Sequence, residues 1–211
     1  MDDGCIVSGA GINRYRALLL VVSAPSGAGK TTLCERLLRE VPDMERSVSC
    51  TTRAPRGNEV DGKAYRFVSP AEFERQVQAG GFLEYAQVHG NRYGTLRGPV
   101  EAALGAGRSV MLVIDVQGAA QVRAAAQAAG GLLKQAYVDV FIAPPSLEEL
   151  RRRLVTRAED EPEVIERRIR NAEAEMARQG EYRYRVVNDD LETAYREFKR
   201  IIDTERGRRA D

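Results

Sequence analysis

The chain is 211 residues long, with 43% hydrophobic residues, 30% charged residues and no Trp. That composition excludes a disordered chain and predicts one core of ordinary size with room for small inserted lobes. Thirty-two basic residues face thirty-one acidic ones, a net charge of +1, which argues against gripping a nucleic-acid backbone as the main task.

The longest apolar run, residues 17–22, is far shorter than the ~20 residues a bilayer span needs, and no signal-peptide hydrophobic region precedes it. A cytoplasmic protein without membrane or nucleic-acid partners is expected. Cys5, Cys34 and Cys50 form no CxxC spacing, and His89 is the single histidine. A disulfide framework, a multi-histidine metal site and a nucleophilic triad are therefore not indicated. Only Lys30, Lys63, Lys134 and Lys199 are lysines; the remaining basic residues are Arg, whose planar fork suits phosphate and carboxylate.

Residues 1–16 read as an N-terminal extension; the glycines Gly9 and Gly11 lack the strand and the third glycine of a dinucleotide loop, where Arg14 stands instead. Residues 17–23 (ALLLVVS) form a short continuous apolar run, the pattern of a parallel strand buried on both faces. A helix follows over 31–41, with Leu33, Leu37 and Leu38 on one face and Pro42 past its end. Residues 48–95 change texture: Gly, Thr and Tyr accumulate, with short alternating segments at 65–68 and 82–85 and a helix over 71–79. This predicts an inserted lobe of small strands.

Two further apolar runs, 110–115 and 137–142, and a weaker one at 185–188 continue the buried sheet. Residues 144–163 read as a second insertion, beginning with a Pro-Pro-Ser helix start and carrying Arg151, Arg152, Arg153 and Arg157. Helices over 162–179 and 190–204 complete the chain, and Arg206 to Arg209 reads as a solvated basic tail. Strands alternating with helices predict an α/β fold with a parallel sheet covered on both faces.

The strongest chemical signal is SAPSGAGKTT at 23–32, lying between a buried strand and a helix. In that setting the backbone N–H groups of Ala24, Pro25 excepted, and of Ser26, Gly27, Ala28, Gly29 and Thr32 approach phosphate oxygens at a helix N-terminus. Lys30 reaches the outer phosphates, and the Thr31 hydroxyl can ligate Mg²⁺. Asp115, in DVQG at the C-terminal end of a strand, faces this loop and can hold Mg²⁺ through water. DVQG also matches the DxxG of GTP-hydrolysing switches, but no NKxD accompanies it. In the inserted lobe, Arg53 and Arg56 with Ser49, Tyr65 and Tyr93 offer a cradle for a second phosphate. Glu84 is an acceptor suited to the N1–H and 2-amino donors of guanine, unless it merely faces water.

These segments, together with FLEYAQVHGNRYGT, FIAPPS, RRRLVTRAEDEPEVIERRI and VVNDDL, occur in an order that resembles the guanylate kinases over nearly all of residues 17–205. The resemblance implies a P-loop NMP-kinase-like three-layer core (17–47, 96–143 and 164–211) with a mixed-strand GMP-binding lobe (48–95) and a helical lid (144–163). It implies transfer of the γ-phosphoryl group of ATP to GMP, with Mg²⁺. By position, Ser49, Arg53, Arg56, Glu59, Tyr65, Glu84, Tyr93, Thr95 and Asp115 are similar to the GMP-side residues. Lys30, Thr31 and Asn188 match the ATP side, and Arg153, Arg157 and Arg168 the arginines that converge on the phosphates with Lys30 and Arg56.

Three positions depart from the family pattern. Ala24 replaces the first loop glycine, Val113 stands where an acidic residue is usual, and Ala158 follows Arg157 in place of glycine. Other readings of the same residues are a kinase for another nucleoside monophosphate and a catalytically silent phosphopeptide-binding module. The latter typically lacks the loop lysine and lid arginines that are present here.

Overall fold

The computed structural model describes residues 15–88, 90–156 and 161–207. His89, Arg157, Ala158 and residues 1–14 and 208–211 lie outside the described residues. The chain opens with β1 (Leu19–Ser23), α1 (Lys30–Glu40) and β2 (Met44–Arg46). It then runs through β3 (Cys50–Thr51), β4 (Arg66–Phe67), α2 (Pro70–Gln78), β5 (Phe82–Val88) and β6 (Asn91–Leu96). Next come α3 (Arg97–Gly105), β7 (Ser109–Val113), α4 (Val116–Ala129), α5 (Gly131–Ala136) and β8 (Tyr137–Ala143). The last elements are α6 (Leu147–Thr156), α7 (Pro162–Ala177), β9 (Tyr184–Val187) and α8 (Leu191–Gly207).

The five strands β2-β7-β1-β8-β9 form one sheet in that order, parallel throughout. β1 is its central strand, which explains the unbroken apolar run: alternate side chains enter cores on opposite faces. Leu18, Leu20 and Val22 pack with Leu33, Leu37, Phe198 and Ile202 from α1 and α8. Leu19 and Val21 pack on the other side with Leu104, Val122, Leu133 and Phe141. Each such leucine, fully buried, contributes about 1.5–3 kcal/mol relative to exposure.

A second, mixed sheet has the order β4-β3-β6-β5, with β3–β4 parallel and the other pairs antiparallel. Its small core joins Cys50 and Phe82 to Phe73 of α2, the two rings stacked at 4.5 Å. Leu83, which belongs to the larger core beside α4, helps fasten it to the rest of the fold, as does the Gln121 side-chain amide, which pairs with the backbone of Tyr85, donating to its O and accepting from its N, each at 3.1 Å. Gln121 thus occupies the hydrogen-bonding edge of β5 that no strand among the described residues covers. A second small core, Leu150 and Leu154 against Ile165, Ile169 and Ala172, joins α6 to α7.

Several boundaries differ from the sequence reading for local reasons. The strand expected over 110–115 ends at Val113, because the Asp115 carboxylate accepts the N–H groups of Gln117 and Gly118 and so caps α4. The final helix extends beyond 204 to Gly207, and Arg206 is not a solvated tail residue: it is 8% exposed, bonds to Asp43 and lies 5.0 Å from the Tyr15 ring. The short edge strand β2, sequence MER, has no apolar run to announce it; its place comes from pairing with β7. Among the described residues, no helix is long and apolar enough to cross a membrane.

Candidate active site

The loop from Ala24 to Gly29 joins the C-terminal end of central β1 to α1, the position where parallel sheets place ligands. Gly27 and Gly29 take φ of 92° and 87°, left-handed values that favour glycine. Gly29 is the N-cap of α1, no side chain caps that helix, and no acid occupies its first turn. Its partial positive end is left for an anion. Ala24, Pro25, Ser26, Gly27, Gly29, Lys30, Thr31 and Thr32 line a cleft of about 400 Å³ together with Asp115 and Glu175. Burial pushes the Lys30 ammonium below its ordinary pKa, while Cys34, Glu175 and Asp115 pull it back up.

Asn188, 5% exposed, supports this loop from behind. Its Nδ2 donates to the Ala28 carbonyl at 2.8 Å and would lie 2.2 Å from a Cβ at position 29. Gly29→Ala is therefore expected to displace Asn188 and to destabilise the fold by about 1–3 kcal/mol from backbone strain alone, with ATP affinity falling alongside. Denaturant unfolding and ATP titration check this; an unchanged unfolding midpoint would refute it.

Glu84 and Thr95 are paired across β5 and β6, at 6% and 0% exposure. The Thr95 hydroxyl donates to Glu84 Oε1 at 2.6 Å, and burial pushes the Glu84 carboxyl above the ordinary carboxylate range. Glu84 therefore does not face water. It abuts the first turn of α4, where a Cβ on Gly118 would come within 3.2 Å of Oε2.

Nearby, Glu59 organises the arginine loop: Oε1 accepts from Arg53 at 2.8 Å and Oε2 from the Arg56 backbone at 2.8 Å. Arg53 lies 5.4 Å from the Tyr65 ring, which meets Tyr93 edge-on at 5.9 Å. Arg56 is exposed. Ser49, Tyr65 and Val113 line a neighbouring cleft of about 370 Å³ with Arg46, Ser47 and Lys63.

The arginines of the second insertion are arranged less simply. The Ser146 hydroxyl accepts from the Glu149 N–H at 3.0 Å and so caps α6, and Glu149 is held down at about 2 by Arg152 and Arg153. The Arg153 fork donates to Glu149 and to the carbonyls of Asn188, at 2.9 Å, and Asp189, at 3.2 Å. It therefore braces α6 against the turn before α8. Arg168 is half-buried on α7.

The sequence reading missed Gln121, Glu149 and Glu175. Glu175 carries one legible signal, its seven-residue spacing from Arg168, which puts both on one helix face. Cys34 and Cys50, both buried and free, are poor nucleophiles: burial pushes the Cys34 thiol up to about 12 and raises that of Cys50.

A phosphate loop at the central strand of a parallel sheet, a half-buried lysine within it and a second lobe carrying an arginine pair and a buried carboxylate define a P-loop nucleotide kinase. The family model described as guanylate kinase matches residues 16–205. The chain is 47% identical to the guanylate kinase of Chelativorans sp. (strain BNC1), over 92% of this chain and 85% of that one. It is 46% identical to that of Rhodopseudomonas palustris (strain ATCC BAA-98 / CGA009), over 99% and 91%. The crystal structure of guanylate kinase from Anaplasma phagocytophilum superposes with a TM-score of 0.68 at 35% identity, covering 92% of this chain and 88% of that one. The chain belongs to the guanylate kinase family.

Proposed function

We infer that this chain transfers the γ-phosphoryl group of ATP to GMP, giving ADP and GDP. The observation that carries this reading is the buried Glu84–Thr95 pair, an acceptor for guanine donors, in the lobe that holds Arg53 and Arg56 and beside the Lys30 cleft. Residues 48–95 serve as the GMP-binding lobe and residues 144–163 as the lid. Arg53, Arg56, Tyr65 and Tyr93 hold the GMP phosphate, with Glu59 fixing the two arginines. Glu84, Thr95 and Ser49 read the base, and Asp115 closes that side of the site. On the donor side, residues 24–32 surround the ATP phosphates and Asn188 supports the loop next to the adenine.

An oxygen of the GMP phosphate attacks the γ-phosphorus as the bond to the β–γ bridging oxygen breaks. No side chain acts as nucleophile, so the protein's work is alignment and neutralisation of charge. Lys30, Arg56, Arg153, Arg157 and Arg168 provide it; Arg153 exchanges the carbonyls of Asn188 and Asp189 for phosphate oxygens. The Thr31 hydroxyl and the Asp115 carboxylate are hard oxygen donors on one cleft, a set that fits Mg²⁺ with most of its waters retained. When bound, Mg²⁺ supplies further neutralisation of the ATP phosphates. The reaction belongs to purine nucleotide metabolism, and free buried thiols are consistent with a reducing cytoplasm.

The test is ADP release from ATP and Mg²⁺ with GMP, dGMP, AMP, UMP, CMP or no acceptor. Turnover with GMP and dGMP is expected. A preference for another monophosphate would overturn the guanine assignment, and none with any acceptor would overturn the phosphotransfer.

A further inference from the structure

Glu175 is a half-buried carboxylate on the last turns of α7 that takes part in no step above. Its carboxylate accepts no hydrogen bond from any described side chain, although it lines the phosphate cleft with Lys30. With Asp115 it also lines an adjoining cleft of about 360 Å³. Arg178, one turn further along the same helix face, does not neutralise it, because its Nε and Nη2 donate to Glu181 at 2.8 and 2.9 Å. Asp115 differs, since its Oδ1 is committed to capping α4.

Among the described side chains lining the phosphate cleft, Lys30 is the one cation and Asp115 and Glu175 are the acids. These lining side chains sum to one negative charge in excess before the arginines assigned above join them, which leaves an acidic wall beside the bound polyphosphate. Metal-free ATP brings roughly four negative charges and its magnesium chelate roughly two, with the metal drawn toward oxygen donors. An acidic wall repels the first much more strongly than the second.

We propose that Glu175 makes this cleft selective for metal-chelated ATP over metal-free ATP. It acts as a specificity-determining residue on the donor side, and this rests on the phosphotransfer reading above. The carboxylate repels the uncompensated phosphates more strongly than those of the chelate; burial pushes its pKa up, and the nearby Lys30 pulls it back toward the ionised form.

The experiment is calorimetric titration of the full chain with ATP, once in excess Mg²⁺ and once in excess EDTA. Glu175→Gln and Glu175→Ala are each expected to bind metal-free ATP about tenfold more tightly than the parent, with less than about threefold change for the chelate, as for removal of one unit charge from a screened, half-buried position. Glu175→Asp, which keeps the charge, and Glu173→Gln, which removes an exposed charge from the same helix, are expected to keep the parent ratio of the two affinities. The same ratio in Glu175→Gln and Glu175→Ala as in the parent overturns the proposal. So does an equal shift in Glu173→Gln, which would make it a general surface-charge effect, or a neutral-like shift in Glu175→Asp. A parent protein that binds ATP under neither condition, or does not phosphorylate GMP, overturns the functional reading and this proposal with it. Intact parent activity with an unmoved ratio overturns the proposal alone.

Discussion

Replacing Lys30 by Ala is expected to lower kcat for GMP phosphorylation by about 10³-fold, the scale of removing a preorganised cation from a transferring phosphoryl group. The ammonium sits within the phosphate cleft, where a low local dielectric strengthens its attraction to phosphate oxygens. Stability should move differently from activity. Burial holds the folded-state pKa of Lys30 below its ordinary value, so the charged form opposes folding at every pH below that depressed pKa. Lys30→Ala should therefore melt at or above the temperature of the parent protein at neutral pH. Steady-state kinetics and thermal unfolding check the pair. A loss of kcat below about tenfold would remove Lys30 from the chemistry, and a lowered melting temperature would contradict the burial argument.

Glu84→Gln should cut kcat/KM for GMP by about 10²- to 10³-fold and leave the much weaker AMP reaction nearly unchanged, so the loss is one of selectivity. A carboxylate offers acceptors only, matching two guanine donors, whereas a glutamine turns an NH₂ toward them or gives up one bond. Thr95 already donates to Oε1, which fixes the carboxylate in place. The pH dependence of stability follows from burial, which raises the folded-state pKa above its unfolded value. Such a group opposes folding once the pH has risen through both values, and the penalty fades as the pH falls toward the ordinary carboxylate range. Glu84→Gln should therefore be more stable than the parent at neutral pH and equal to it in acid. An unchanged preference for GMP over AMP would sink the guanine-reading role; a variant less stable at neutral pH would contradict the stated cause.

These two residues also mark how far the sequence can be read. Lys30 was legible because its function is encoded contiguously: strand, glycines at left-handed φ, lysine and helix follow one another within a dozen residues. Glu84 was legible as a candidate, but a carboxylate on a short strand faces either water or protein. Only the docking of β5 against α4, with Leu83 in the larger core and Gln121 closing the strand edge, buries it. The arginine pair was visible as residue types, whereas the role of Glu59 in holding Arg53 and the Arg56 backbone together was visible only in three dimensions.

The sequence by itself determined the phosphate loop, the apolar strands β1, β7 and β8 and the change of texture that marks the small-stranded lobe, because these depend on local backbone conformation and burial period. The tertiary structure decided which distant positions meet. With β7 and β8 flanking β1, Asp115 faces the loop while capping α4, Asn188 comes under Gly29, and the end of α7 brings Glu175 into the cleft with Lys30. It also turned Arg206 inward onto Asp43 and set Arg153 on the carbonyls of Asn188 and Asp189. No local pattern encodes such encounters, since each arises from strand order and helix packing over separations of more than thirty residues, where charge and hydrogen-bonding partners are chosen by proximity rather than by neighbouring sequence.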